Sequence, residues 1–207
     1  MAYRIEDTSS SETNGSPDEL ALVQRAQRGD EAAFNTLFER YEHRIARYLK
    51  HMVGNDGVSC DLTQDTFFRA WQGLPGLRDP QRFASWLYRI ATNLAHNYLE
   101  QARRMQYVPW EDCHEDSREL STLGMEQHIE ERELTQIALA HVSPTYRACL
   151  ILYVIEGLPQ RKVAELLGMK ESCVSKYLSR GKEEMRQIYQ RLESEGLPTR
   201  QRGGKRK

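Results

Sequence analysis

The 207-residue sequence predicts an all-α protein, with two small helical domains joined by an acidic linker and a helix-turn-helix in the second. Three observations predict it. From Ser16 onward, apolar residues recur at spacings of three and four, the period of a helix with one buried face. Alternation of apolar and polar residues, the mark of a half-buried strand, is missing from every useful window. Around residues 106–128 the helical period gives way to a proline and a dense run of acids. The predicted divisions are a disordered N-terminus over 1–15, a helical domain over 16–105, a linker over 106–128, a second helical domain over 129–196 and a basic tail over 197–207.

Residues 1–15 are rich in Ser, Thr and acid and hold almost nothing to bury, so they read as disordered. Ser16-Pro17-Asp18-Glu19 is a capping box, with Ser at the cap, Pro at the first helical position and Glu three residues after the cap. The helix that it opens ends at Gly29. Asp30 caps the next, on which Phe34, Leu37, Phe38, Tyr41, Ile45, Tyr48, Leu49 and Met52 trace one apolar face as far as Gly54. A third helix over 59–72 buries Leu62, Phe67, Ala70 and Trp71 and keeps Asp61, Gln64, Asp65 and Arg69 polar. Glycine and proline punctuate a loop over 73–81. A fourth helix, from 83 to about 104, carries Trp86, Leu87, Ile90, Leu94, Tyr98 and Leu99 and ends in Arg103-Arg104.

Past the linker, 129–141 reads as a helix, Ser143-Pro144 opens another that runs through 155, and Gly157-Leu158-Pro159 leads into two short helical patterns meeting at a turn. Val163, Ala164 and Leu167 share a face of the first, Gly168 ends it in the left-handed conformation, and Ser172 caps the second. Val174 and Leu178 hold that second helix down, which turns Ser175, Lys176, Ser179 and Arg180 outward. These side-chain types reach phosphates and base edges in a major groove. Val174, Leu178, Gly181, Met185, Ile188 and Leu192 continue as a packing seam until Gly196 and Pro198 stop the helix.

The formal net charge of −1 hides a strong division along the chain. Residues 111–133 carry nine acids against two arginines, a net of −7, while residues 161–191 carry eight Lys or Arg against four Glu, a net of +4. The segment 200–207 adds five positive charges and no acid. A basic C-terminal third suits a polyanion-binding module. Cys60, Cys113, Cys149 and Cys173 form no C-x-x-C pair, and Cys113-His114 is too small a signal for a metal or redox site. The six histidines show no metal spacing, and no phosphate loop, H-E-x-x-H, G-x-S-x-G or dinucleotide fingerprint occurs, so no catalytic residue, metal or cofactor is expected. No apolar run approaches the ~20 residues that span a membrane, and the first twenty residues lack the apolar core of a secretion signal. The expectation is a cytoplasmic protein with no membrane insertion.

Two segments resemble a known family. DLTQDTFFRAWQGL (61–74) and RFASWLYRIATNLAHNYL (82–99) resemble region 2 of bacterial RNA polymerase sigma factors, and EGLPQRKVAELLGMKESCVSKYLSRGKEEMR (156–186) resembles region 4. The compact two-domain layout is similar to the extracytoplasmic-function (ECF) class. The resemblance implies a chain that binds core RNA polymerase, recognises the minus-10 and minus-35 boxes of promoter DNA and promotes melting. Asp61, Gln64 and Asp65 stand at i, i+3 and i+4 and so form one ridge; with Arg69, they are the implied polymerase contacts. Arg78, Arg82, Asn93, His96, Asn97, Arg103 and Arg104 are the implied minus-10 DNA residues. Trp86 and Tyr98 have the chemistry to stack on bases, but their helical spacing assigns them to the core.

The implied minus-35 residues are Arg161, Lys162, Lys170, Ser175, Lys176, Ser179 and Arg180. Members of the class are often held by an anti-sigma protein, a further partner that the resemblance brings. Departures from the family pattern fall at Asn97, where Asp is common, at Glu100-Gln101-Ala102, where a basic run is common, at Pro159, at Arg161-Lys162 and at Tyr177, where Arg is usual. The alternative reading is a helix-turn-helix regulator that binds duplex DNA as a dimer without polymerase. It leaves the whole first domain without a purpose.

Overall fold

The computed structural model describes residues 17–106 and 129–194. Among them every regular element is helical. α1 (Pro17–Gln27), α2 (Glu31–Val53), α3 (Asp56–Gly73) and α4 (Phe83–Gln106) make the first half; α5 (Ile129–His141), α6 (Pro144–Leu150), α7 (Gln160–Leu167) and α8 (Glu171–Ser194) make the second. The expectations for Ser16, for the acidic linker with Cys113 and His114, and for both chain ends lie outside the described residues.

Cap chemistry sets the helix boundaries. Asp30 accepts a hydrogen bond from the Ala33 amide at 3.0 Å, and that amide, helped by Arg25, holds its carboxyl below the usual carboxylate range. α2 stops where Gly54 takes φ +71°, a conformation that side chains with a β-carbon resist, and the Gly54 amide closes on the Lys50 carbonyl. Asn55 then caps the next turn by accepting from the Val58 amide at 3.0 Å, so α3 begins at Asp56, ahead of the expected start at 59. Beyond α3 lie two short 3-10 turns, Leu74–Gly76 with Pro75 at its second position and Pro80–Arg82 with Pro80 at its first.

α2 is the axis of the first half, with α1, α3 and α4 packed around it. Leu37, Ile45, Tyr48, Leu49 and Met52 have no solvent exposure. Phe38 meets Phe67 edge to face at 4.6 Å, and Phe34 meets Trp71 at 4.8 Å. Two buried phenols are satisfied: Tyr41 donates to the Glu19 carboxylate at 2.9 Å, and the Tyr48 and Thr92 hydroxyls lie 2.8 Å apart.

In the second half, α7 ends at Gly168 with φ +66°, as the sequence predicts. Two local expectations differ. Ser172 is not the cap of α8: the Lys170 carbonyl accepts from the Cys173 and Val174 amides, and Ser172 sits exposed inside the first turn. The single helix expected through 155 is α-helical only to Leu150. It then widens into a π turn over Ile151–Ile155, in which the Glu156 amide bonds the Ile151 carbonyl.

The buried side chains of both halves form one contiguous core, with α2 and α4 facing α5, α6 and α7. Arg147 of α6 is at the join and is 2% exposed. It donates to the Met52 carbonyl at the end of α2 and to the Ala140 and Val142 carbonyls at the end of α5, the last at 3.0 Å. The carbonyls in the last turn of a helix lack intrahelical partners and carry the negative end of the helix dipole, so a guanidinium there satisfies both. Arg47 of α2 makes a two-pronged pair with Glu156, with Nε to Oε1 at 2.7 Å; the Glu156 side chain is 6% exposed.

α8 approaches α6 closely because Gly181 has no side chain. A β-carbon there would stand 2.9 Å from Leu150 Cδ1 and 3.2 Å from Tyr146 Cβ, well inside normal contact. Gly181→Leu is therefore expected to destabilise the fold by about 2–3 kcal/mol through overpacking, read as a lowered midpoint in thermal or chemical denaturation.

Candidate nucleic-acid interface

The two faces of α8 are divided as the sequence predicts. Val174 and Leu178 are buried beneath α8, while Ser175, Lys176, Ser179 and Arg180 are exposed near its N-terminal end, where a recognition helix meets base edges. Arg161 at the start of α7 and Lys170 in the turn are also exposed, placed to flank the same surface with positive charge. Arg180 donates to the Tyr146 hydroxyl at 3.2 Å, and that bond holds its guanidinium pKa above the ordinary value. Tyr177, the departure from the family pattern, is partly buried and packs on Tyr146 with ring centroids 5.2 Å apart. It anchors the helix to α6 and leaves Tyr146 beneath Arg180.

Lys162 is less exposed than the other candidates of this surface. It is 8% exposed, buried with Val163 and Ala164, and its ammonium bonds Glu165 at 3.0 Å. A lysine stem can bury its methylenes while a neighbouring carboxylate takes the charge. Lys162 therefore packs within α7 with its charge turned to Glu165, unlike the exposed Arg161 beside it.

The second polar surface lies on the loop between α3 and α4 and on α4 itself. Gln27 of α1 fixes the loop by donating its amide to the Leu74 carbonyl at 3.1 Å and the Leu77 carbonyl at 2.7 Å. Asp79 caps the second 3-10 turn by accepting from the Gln81 amide at 3.1 Å, and it pairs with Arg82 at the same distance. Arg78 and Arg82 are exposed on this fixed loop. They border an open groove of about 890 Å³, walled on one side by Trp86 and Arg89 and on the other by Glu165 and Met169 of the second half. Trp86 is half-buried, as is Tyr98; both pack against the core. Asn97, Arg103 and Arg104 are exposed along α4, with Arg104 paired to Glu100 at 3.4 Å.

His96 does not lie on an open face. Burial holds its imidazole pKa below the ordinary value, the Pro144 carbonyl lies within hydrogen-bonding reach, and Nε2 is buried without a partner. Together with Asn93 it lines a small cavity of about 160 Å³ against Thr145, Ala148, Leu167 and Met169. The helical period places His96 on the polar side of α4, where Asn93 and Asn97 stay exposed and His96 alone is drawn against the second half.

The third surface is the ridge on α3. Asp61, Gln64, Asp65 and Arg69 are all exposed. Sequence reasoning missed Phe68, which stands three residues after Asp65 and four after Gln64, on the same stripe, and is 61% exposed. The signal was the Phe67-Phe68 pair: neighbours on a helix point about 100° apart, so when Phe67 packs inward Phe68 faces away. An exposed aromatic among acids is a typical anchor for a protein partner.

Among the described residues no group of three or more His, Cys, Asp or Glu could hold a metal ion, and no helix is long and apolar enough to cross a membrane. Cys60 is exposed and Cys149 is buried, where desolvation pushes its thiol up to about 12.

Comparison with known proteins bears on both halves. Residues 37–105 match the model of Sigma-70 region 2, and residues 133–185 match that of Sigma-70, region 4. The ECF RNA polymerase sigma-E factor of Haemophilus influenzae is 31% identical over 175 residues, covering 79% of this chain and 90% of that one. Its counterpart in Escherichia coli K12 is 30% identical over 171 residues, covering 78% and 89%. Among solved structures, CnrH in complex with the cytosolic domain of CnrY matches with a TM-score of 0.61 at 22% identity, covering 84% of this chain and 98% of that one. The sigma factor RpoE bound to the anti-sigma factor NepR, from Bartonella quintana, matches with a TM-score of 0.55 at 17% identity, covering 76% and 96%. At those identities the two structures speak for the fold alone.

Proposed function

This chain belongs to the ECF class of RNA polymerase sigma factors, and from that premise we propose how its three surfaces divide the work of directing RNA polymerase to promoters. The observation that carries the assignment is their coexistence: one chain bears an acidic ridge tipped by an exposed aromatic and two separate polar or basic surfaces. Asp61, Gln64, Asp65 and Phe68, flanked by Arg69, dock the clamp helices of the polymerase. The carboxylates meet basic side chains there, and Phe68 supplies desolvated contact area. A regulator acting alone would have no use for this ridge.

The exposed arginines Arg78 and Arg82, with Asn93, Asn97, Arg103 and Arg104 of α4, receive the start-proximal box, and His96 joins them only once it is uncovered. Opening a duplex costs stacking energy, and a fixed loop beside an open groove offers a place for an extruded base. Ser175, Lys176, Ser179 and Arg180 read the upstream box, with Arg161 and Lys170 on flanking phosphates. The domain limits that go with these roles are 16–105 and 129–196. The chain supplies contacts and performs no bond chemistry, it acts in the cytoplasm with polymerase, and an anti-sigma protein is its expected restraint.

Two sets of substitutions test this division. Asp65→Arg and Phe68→Ala, both at exposed positions, are each expected to weaken capture of core polymerase by about tenfold, the scale of one interface hot spot, measured by fluorescence anisotropy of the labelled chain. Unchanged affinity removes the docking role. Lys176→Ala and Arg180→Ala are expected to lower promoter-specific transcription by roughly 5- to 100-fold, the discrimination carried by one good base contact, with core affinity unaltered. Equal loss of core binding would show that the reading surface has been misassigned.

A further inference from the structure

Arg180 is the one arginine among the four candidate readers Ser175, Lys176, Ser179 and Arg180, and it is tethered from outside its own helix. Its Nη1 donates to the hydroxyl of Tyr146 on α6, 34 residues earlier, at 3.2 Å. An exposed arginine side chain samples many rotamers, and ordering it on DNA costs entropy. A tether made within the protein removes part of that cost before DNA arrives. The bond engages Nη1 and leaves the Nε–Nη2 edge of the fork to pair with O6 and N7 of a guanine.

Tyr146 is itself fixed on several sides. Gly181, next to Arg180, lets α8 come so close that a β-carbon there would stand 3.2 Å from Tyr146 Cβ. The Tyr146 ring packs on Tyr177 with centroids 5.2 Å apart and planes inclined by 39°, and both rings are partly buried against the core. Arg147, the next residue along α6, is 2% exposed and donates to the Val142 carbonyl at 3.0 Å, which anchors the turn that carries Tyr146. A hydroxyl on a ring held in this way is an acceptor of fixed position, the support that a recognition side chain requires. The Tyr177 ring, which stands where the family pattern has Arg, thus sets the acceptor that Arg180 meets.

We propose that Tyr146 is a positioning residue for recognition of the upstream box: its hydroxyl aims the Arg180 guanidinium and so sets how sharply Arg180 discriminates one base pair. Tyr146 lies outside the helix-turn-helix and acts through Arg180. The inference rests on the assignment of Arg180 to reading that box, and the two can fail separately.

Tyr146→Phe removes the hydroxyl and keeps the ring on Tyr177. The full chain with core polymerase is used to retain DNA from a randomised duplex library, and the retained DNA is sequenced for the wild type, Tyr146→Phe, Arg180→Ala and the double variant. Arg180→Ala should flatten the preference at one base pair of the upstream box. Tyr146→Phe should weaken the preference at that same pair by about three- to tenfold, the scale of one hydrogen bond, and leave the other positions as they are. The double variant should match Arg180→Ala, because residues acting through one contact are not additive. In the free chain, NMR relaxation of Arg180 Nε should report an ordered side chain in the wild type and a mobile one in Tyr146→Phe.

A full wild-type preference at that pair in Tyr146→Phe, or an Arg180 Nε as ordered there as in the wild type, would overturn the positioning role. So would an even loss of preference at every position, which is what a merely structural tyrosine would produce. Arg180→Ala with every preference intact would instead remove the reading role of Arg180 itself.

Discussion

A single guanidinium bonds the ends of two helices from different halves of the chain. Arg147 is buried without a carboxylate partner, and its charge is balanced by the carbonyls of Met52 and Ala140, in the last turns of α2 and α5, and of Val142 just beyond α5. Burial brings its pKa down to about 10, which still leaves it protonated at neutral pH. A buried cation is tolerated only where dipoles replace water, and the open ends of two helices provide them. The placement of α6 on α2, of α7 on α4 and of Glu156 on Arg47 follows from that junction. So does the continuity of the core across the two halves.

Electrostatics then divide the labour. The α3 ridge is acidic and ends in an exposed aromatic, chemistry suited to a protein helix carrying Lys and Arg. The outer face of α8 and the α3–α4 loop are polar and basic, chemistry suited to phosphates and base edges. Each surface rests on a rigid support: α8 on the close approach at Gly181, the loop on Gln27, and the ridge on the Phe38–Phe67 and Phe34–Trp71 contacts. The candidate side chains thus stand on elements whose positions are fixed by packing, which is what pre-organised recognition requires.

Much of this was legible in the sequence because it is local. Asp30, Gly54 and Gly168 announce helix ends through their own backbone and side-chain chemistry, and the apolar stripe of α2 and the outward set on α8 follow from the helical period. The readings that changed depend on partners distant along the chain. Lys162 and His96 look like surface residues until α7 packs on its own half and α6–α7 pack on α4. Arg147 gives no local sign that it bonds a carbonyl 95 residues away. Phe68 was legible in principle, since only one of two adjacent phenylalanines can face the core. Ser172 has the chemistry of a cap, yet the chain enters α8 one turn-residue earlier, through Lys170 and Glu171.

As a sigma factor, this chain directs core RNA polymerase to promoters. The most direct measurement is to select genomic DNA retained by the chain together with core polymerase and to probe those complexes with permanganate, which reacts with unpaired thymines. The expected result is retained fragments that share two short boxes, protection of the upstream box and thymine reactivity at the downstream one, all dependent on the chain and on polymerase together. Retention of the same fragments by the chain alone, with polymerase adding neither affinity nor melting, would contradict it.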